Sequence, residues 1–446
     1  MIASRTARVA DSSRMKLDLR TVLSRCLFLA GVLSIASSFA FTAGNVWLAS
    51  RWYATWDPDL LLRAANSEPS NADYWYRLGL YQEWNPEHRD LAQAISYYRR
   101  ATDANPRSDR FWMELADAYE AIGQVAPAEE AFERAQFAHP SSSEVAWRHG
   151  NFLLRREDYS HAFAEIRRAL ATDPDLTVQA VSECSRGVSD ISRTLSEILP
   201  DKTRYYIAAL DYFVGQREDA AALIVWDGLK KLKEAPAMMQ IVLFVNELIA
   251  RRRVDEAVRV WHEALEKTGW PQDSANGPSM VFNGGFEHEL LSGAFDWQEA
   301  PIEGAAFSPE TKVIHAGTHA LRIAFDGSAN LDFQHLWQFF PVEPHRQYHF
   351  VGYLRTEEIS TDSGVRFSIL DPWHPTAIQI LSSSLTGTHD WLPIEEEVRT
   401  GADTHLLAVA LRRVPSLKFD NKLSGRVWVD DISLVPVPDS VEKSSR

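Results

Sequence analysis

The spacing of hydrophobic and polar positions changes three times along this chain. From Cys26 to Ser50 no residue carries a charge. A helix of that length crosses the ~30 Å hydrocarbon layer of a bilayer. From about residue 55 to 270 apolar residues recur at i, i+4 and i+7, as in Ala94/Tyr98/Ala101, Ala128/Phe132/Ala135 and Ala162/Ile166/Ala169. Each of these triplets is closed by a proline, and Pro106, Pro140 and Pro174 stand 34 residues apart. A strict period of this length predicts helical hairpins that cannot bury their own apolar faces and stack on one another as a solenoid. Beyond Pro174 the period fails, but Val178–Leu199, Arg204–Leu232 and Ala237–Glu266 still read as helical. After a turn-rich linker the pattern becomes alternating. Short β-branched and aromatic runs predict strands at Thr311–His315, His319–Phe325, Phe333–Phe340, Gln347–Arg355, Gly364–Leu370, Ala377–Leu381, Trp391–Val398, His405–Arg412 and Arg426–Val435. That is an all-β sandwich. In the last run Val427 and Val429 share one parity and Ile432 and Leu434 the other, so a β-bulge is expected at Asp430-Asp431.

The hairpins carry a recognisable signature. Trp112, Leu115, Ala116 and Tyr119, then Ala128, Phe132, Ala135 and Pro140, resemble the tetratricopeptide repeat. The unit at Trp75, Leu78 and Gly79 has three extra residues, placed in Asn85–Asp90, and the third unit has Gly150 and Leu153. The resemblance implies a groove that binds a protein partner. Family members that clamp a C-terminal carboxylate carry Lys and Asn on the inner face of the first helices. Here those positions hold Tyr76, Met113 and Trp147, then Leu80, Asp117 and Asn151. They depart from the clamp and predict an aromatic, apolar groove for a helix or extended peptide.

The alternating segment carries a second signature in Asn283-Gly284-Gly285-Phe286-Glu287, Gly317–Ile323, Tyr348, Arg355-Thr356 and Val427–Leu434. It is similar to the galactose-binding-like jelly roll of carbohydrate-binding modules related to families 4, 9 and 22. The resemblance implies a structural calcium, with Glu287 and Asp431 and the backbone near Gly317 as ligands; hard oxygen donors suit that ion. Sugar binding needs flat aromatic faces with polar groups at the rim. Trp373 in the rigid loop Asp371-Pro372-Trp373-His374-Pro375 is the leading candidate, with Asp371, His374, Trp337 and Tyr353 beside it.

The expected fold class is therefore multidomain: an N-terminal transmembrane helix, an all-α tetratricopeptide solenoid and a C-terminal all-β jelly-roll sandwich. The expected divisions are a basic cytoplasmic tail (1–25), a signal anchor (26–50), repeats (55–270), a linker (271–279), the sandwich (280–437) and a disordered tail (438–446). Arg5, Arg8, Arg14, Lys16, Arg20 and Arg25 precede the uncharged run, which sets the N-terminus in the cytoplasm and the bulk of the chain outside. A cleavable signal peptide ending at Ser38-Phe39-Ala40 or Phe41-Thr42-Ala43 is the alternative to an uncleaved anchor.

A formal charge of −15 argues against a nucleic-acid partner. Only two cysteines occur, Cys26 in the apolar run and Cys184 in the helices, so a disulfide between them is not expected. His315 and His319 flank a turn, and no H-E-x-x-H, phosphate loop or G-x-S-x-G elbow occurs. Glu395, Glu396 and Glu397 read as edge protection on a strand rather than an acid/base pair. The sequence thus points to a non-enzymatic envelope adaptor that binds a protein through its repeats and a glycan through its sandwich, in surface polysaccharide assembly or export. A pure protein scaffold and a cryptic glycoside hydrolase are the competing readings.

Overall fold

The computed structural model describes residues 21–87, 89–187, 190–271 and 279–438. The basic leader before residue 21, most of the expected linker and the C-terminal tail from residue 439 lie outside the described residues. The chain forms two compact units, residues 1–173 and 174–446.

The first unit begins with α1 (Val22–Tyr53), a helix long and apolar enough to cross a membrane. Thr21 caps it, accepting from the Ser24 N–H at 3.2 Å. Leu27, Leu33, Ile35, Phe39 and Phe41 are exposed along it, while Ala49 is fully buried. Ala49, Trp52 and Tyr53 pack with Leu61, Ala64, Ala65 and Trp75, so the last turns of α1 belong to the core of the repeats. α2 (Pro58–Ser67) follows, with Asp57 as N-cap and Pro58 in its first turn, where a missing N–H costs nothing.

Three hairpins then stack: α3 (Ala72–Trp84) with α4 (Leu91–Ala104), α5 (Asp109–Ala121) with α6 (Val125–Ala138), and α7 (Ser143–Arg155) with α8 (Tyr159–Thr172). The extra residues of the first hairpin sit in its turn, as expected. Small residues set the approach of paired helices. A Cβ on Gly79 would stand 2.4 Å from the Tyr98 ring, and one on Gly150 2.8 Å from Ile166. Ala116 and Ala128 are fully buried between α5 and α6, with Trp112 and Tyr119 beside them. The Trp75 indole N–H donates to the Pro69 carbonyl at 2.9 Å, and that of Trp112 to the Pro106 carbonyl at 2.9 Å. Tryptophan and proline six residues apart thus close the entry to the first and second hairpins.

In the second unit the three expected helical stretches each divide. α9 (Thr177–Gly187) and α10 (Ile191–Ile198) are separated at Asp190, whose carboxylate caps α10 through the Arg193 N–H at 3.0 Å. α11 (Thr203–Gln216) and α12 (Asp219–Leu229) turn at Arg217, with φ of 61°. α13 (Met238–Ala250) and α14 (Val254–Thr268) turn at Arg252, with φ of 59°. Neither turn uses Gly or Pro.

The sandwich follows with β1 (Gln298–Glu299), β2 (Ala305–Glu310), β3 (Ala320–Asp326), β4 (Phe333–Pro341), β5 (Gln347–Ile359), β6 (Arg366–Leu370), β7 (Gln379–Leu381), β8 (Gly387–Arg399), β9 (Leu406–Arg413) and β10 (Ser424–Pro436). Two five-stranded antiparallel sheets, ordered β1-β4-β9-β6-β7 and β2-β3-β10-β5-β8, enclose a core that includes Trp297, Phe333, Phe340, Phe350, Phe367, Val427 and Val429. The register of β10 on β5 shifts between Asp430 and Ser433, at the expected bulge. The strand expected at Thr311–His315 is instead a loop; the chain pairs earlier, at β2, which lies on the sheet edge and so accommodates Pro309. Helices α13 and α14 pack directly on the sandwich. The Trp261 ring meets those of Phe282 and Phe295 at 5.2 and 6.2 Å, and the Ala294 N–H donates to the Asn246 side chain at 2.7 Å.

Candidate binding site

On the repeats, the first helices α3, α5 and α7 present the expected groove residues in very different settings. Tyr76 lies between the rings of Phe111 and Tyr98, at 5.0 and 6.0 Å, under the Arg110 guanidinium at 4.5 Å. Met113 is 2% exposed, in a cluster with Ala135 and Val145, and belongs to the core. Trp147 and Asn151 are half-buried on α7. Asp117 pairs with Arg148, which also donates to Glu114 at 3.1 Å. Arg110 donates to Asp73 at 2.7 Å and Arg155 to Glu120 at 2.7 and 2.8 Å.

The expected aromatic, apolar face is therefore crossed by a ladder of ion pairs linking consecutive first helices. Burial raises the Glu114 carboxyl above its usual range, and Arg148 opposes that rise. The signal for this ladder was present in the sequence as opposite charges separated by about one repeat period, at Glu114/Arg148 and Glu120/Arg155.

In the sandwich, residues paired directly across strands share a face. Trp337 pairs with Gln298 on one side and Ala410 on the other; Ala410 pairs with Ser368, and Ser368 with Leu381. The alternate positions Leu336, Phe340, Val409, Leu411, Phe367 and Ile369 all point into the core. The outer face of the first sheet is thus a row of one indole, small floor residues and polar groups. Phe339, Ala408 and Leu370 form the next row. The buried Gln298 Nε2 and Arg366 Nε find no hydrogen-bond partner among the described residues. A sheet face that combines an indole, small residues and polar groups has the chemistry that suits a polyhydroxylated ligand.

The other expected sugar residues do not join Trp337. Tyr353 is on the outer face of the second sheet, its ring stacked against the His315 imidazole at 3.7 Å, with Trp391 edge-on to that imidazole at 5.7 Å. Trp373 lies beyond the end of β6, with the Arg252 guanidinium from the α13–α14 turn at 5.4 Å over its ring. Asp371 is fully buried and accepts the backbone N–H groups of Trp373 and His374 at 2.8 and 2.9 Å and the Thr404 hydroxyl at 3.1 Å. Burial works to raise its pKa, but these donors hold it below the usual carboxylate range. Its role is to shape the loop, and His374 Nδ1 lies 3.3 Å from it. The setting of Arg252, Gln298 and Arg366 was not legible in the sequence, since it is fixed by Trp373 for the first and by strand pairing with Trp337 and Arg412 for the other two, all remote in the chain.

The expected calcium ligands meet where the first loop joins the last strand. Glu287 accepts from the Thr318 N–H and hydroxyl at 2.8 and 2.5 Å and from the His319 N–H at 3.2 Å. Asp431 accepts from His315 Nδ1. Gly317 has φ of 65°, and a Cβ there would stand 1.9 Å from the Glu287 carboxylate. Asp430, beside them, is fully buried, and desolvation pushes its pKa up to about 6. Among the described residues no three His, Cys, Asp or Glu side chains converge on one point. A Cβ on Gly285 would stand 3.6 Å from Glu287 Cγ and 3.9 Å from Asp431 Oδ1, and the Glu287 oxygens are engaged by N–H and O–H donors.

Glu397 pairs with His349 at 3.0 Å and Gln347 at 2.9 Å on β8, an edge strand. The glutamate run is edge surface, as expected.

A stack of helical hairpins and a two-sheet sandwich with aromatic residues on its outer faces define a modular protein. The chain carries tetratricopeptide repeats: residues 87–143 and 119–176 match that family. No curated protein sequence matches the chain. Among solved structures the helical part is similar to MamA, 14% identical over 48% of this chain and 86% of that one, with a TM-score of 0.25. It is likewise similar to YrrB, a repeat protein with an unusual peptide-binding site, 11% identical over 48% and 95% with a TM-score of 0.25. The all-β sandwich has carbohydrate-binding modules among its neighbours, including TmCBM61 in complex with β-1,4-galactotriose, 16% identical over 36% and 99% with a TM-score of 0.25. Tetratricopeptide repeats and carbohydrate-binding modules are both non-catalytic kinds of domain.

Proposed function

We propose that this protein is a non-catalytic, membrane-anchored envelope adaptor. Helix α1 spans the membrane with the basic leader on the cytoplasmic side, the repeats hold a protein partner, and the sandwich binds glycan during surface polysaccharide assembly or export. The observation that carries the glycan half is the row Gln298–Trp337–Ala410–Ser368, where a half-buried indole, small residues and an amide without a protein partner among the described residues share the outer face of one sheet. A glycan array with the detergent-solubilised full chain tests it. Retention of a polysaccharide that falls at least tenfold with Trp337→Ala and persists with Tyr353→Ala supports the proposal. Binding that survives Trp337→Ala places the ligand elsewhere, and no retention leaves a protein scaffold, the reading favoured by the covered rings of Tyr353 and Trp373.

A structural calcium at Glu287 and Asp431, with carbonyls near Gly317, is a separate part of this proposal. It would tie the first loop to the last strand and relieve the buried charge of Asp430. Calcium is expected to raise the melting temperature of chelator-treated protein and to leave Glu287→Gln unchanged. Equal response of both proteins, or of neither, removes the ion from the proposal.

A further inference from the structure

The membrane helix is not joined to the repeats by a tether. Its last turns are core: Ala49 is fully buried, and the Tyr53 and Tyr74 rings meet at 5.2 Å. Arg77 lies over Tyr53 and Trp56 at 4.5 and 4.1 Å, fixing the corner where the chain reverses. From that corner α2 runs back along α1. The stretch from the end of α2 to the start of α3 (Ser67–Asp73), together with Ala104 at the end of α4 and Asn105 after it, borders a cleft of about 750 Å³ whose other wall is Thr42, Asn45 and Val46 of α1. The repeats therefore reach down α1 as far as Thr42.

Below that point α1 is bare. Val22–Phe41 is 20 residues, and at 1.5 Å per residue it measures ~30 Å, the thickness of the hydrocarbon layer; Arg25 stands within one turn of its lower end, where a long side chain carries its guanidinium out to the headgroups. Phe39 and Phe41, 74% and 70% exposed, stand just under the cleft and need lipid around them. Moving the layer upward by two turns would draw Glu68 and Asp73 into hydrocarbon; moving it downward would leave both phenylalanines in water. The layer is held between these two limits.

We propose that the loop edge of the first repeats, Ser67–Asp73 and Ala104–Arg107, rests in the phospholipid headgroup layer of the bilayer crossed by α1. This rests on the reading of α1 as a membrane span. The residues of that edge are Glu68, Ser70, Asn71, Asn105 and Arg107, polar side chains of both signs that suit zwitterionic and anionic headgroups alike, with Pro69 among them. The opposite edge of the repeats, at Gly123-Gln124, is one 13-residue helix away, ~20 Å further from the membrane.

The test uses the full chain, with Cys26→Ser and Cys184→Ser, in vesicles of phosphatidylethanolamine and phosphatidylglycerol carrying a headgroup-bound quencher. Fluorophores are placed singly by Ser38→Cys, Ser70→Cys, Asn105→Cys and Gln124→Cys. The expected result is a hydrocarbon-like emission at 38, with several-fold stronger quenching at 70 and 105 than at 124. A hydrocarbon signal at 38 with 70 and 105 quenched no more than 124 overturns the seated edge and leaves the span intact. Labels at 70 and 105 that are shielded from water yet unquenched also overturn it, in favour of a protein cover. An aqueous signal at 38 overturns the span itself, and the seat with it.

Discussion

Replacing Arg148 by methionine removes the cation that serves two first helices while keeping an unbranched apolar stem. Arg148 is 22% exposed and its partner Glu114 17%, whereas Asp117 is 35% exposed and better hydrated. Breaking a fully buried pair costs ~3–5 kcal/mol, and a hydrogen bond to a charged group contributes ~1.5–3 kcal/mol. With this much solvent at the pair the expected loss is about 2 kcal/mol at pH 7. Most of that loss is the stranded Glu114 carboxylate. Burial already raises the Glu114 pKa above its usual 4.5, and losing Arg148 raises it further. A carboxyl whose folded pKa lies above its unfolded value takes up a proton more readily when folded. The penalty is therefore complete at neutral pH and fades as pH falls through the raised pKa. Urea unfolding of wild type and variant, followed by tryptophan fluorescence at pH 7 and again near pH 4.5, measures both states. The gap in stability is expected to shrink by more than half at the lower pH, and Arg148→Met with Glu114→Gln is expected to recover most of the loss at pH 7. An equal gap at both pH values, with no recovery in the double variant, would refute the assignment of the cost to Glu114.

His149 occupies an apolar position on α7, 7% exposed, stacked on Phe132 at 5.3 Å with neither ring nitrogen bonded among the described residues. Burial lowers its pKa below 6.5, so the folded state keeps it neutral. Wild-type stability is expected to fall as pH drops below about 6.5, because the unfolded chain binds that proton first. His149→Leu is expected to gain about 1–2 kcal/mol and to lose that part of the pH slope, read from paired denaturation curves at pH 5 and 7. A variant no more stable than wild type at pH 5 would show that His149 has an unseen partner.

What the sequence made legible follows from the range of the interactions involved. The hairpins at Trp75, Trp112 and Gly150 rest on contacts within one repeat, and their spacing carries them. The bulge at Asp430-Asp431 was visible because parity is a local property of a strand. The helix breaks at Arg217 and Arg252 were not, since ordinary residues adopt the left-handed conformation there under pressure from the packing around them. β2 was passed over because it contains Pro309, which a central strand excludes and an edge strand admits. The site suffered more. Trp373 and Tyr353 had the right chemistry and the right parity or loop setting, but the groups over their rings come from Arg252 and His315, far away in the chain. Trp337 alone kept its setting, because its neighbours are fixed by strand register.

The indole bonds to Pro69 and Pro106 have a bearing on how this array is counted. The third hairpin has Ala146 where the others have tryptophan, which makes it look like a decayed copy. Its Pro140 carbonyl is nonetheless occupied, by the Arg168 guanidinium at 2.7 Å, reaching in from the second helix rather than the first. The conserved quantity is an occupied acceptor at the boundary, and either helix of a hairpin can supply the donor. Hairpins of this kind can drift far from their signature letters and still stack, so a tally of tryptophans understates how many units the solenoid contains.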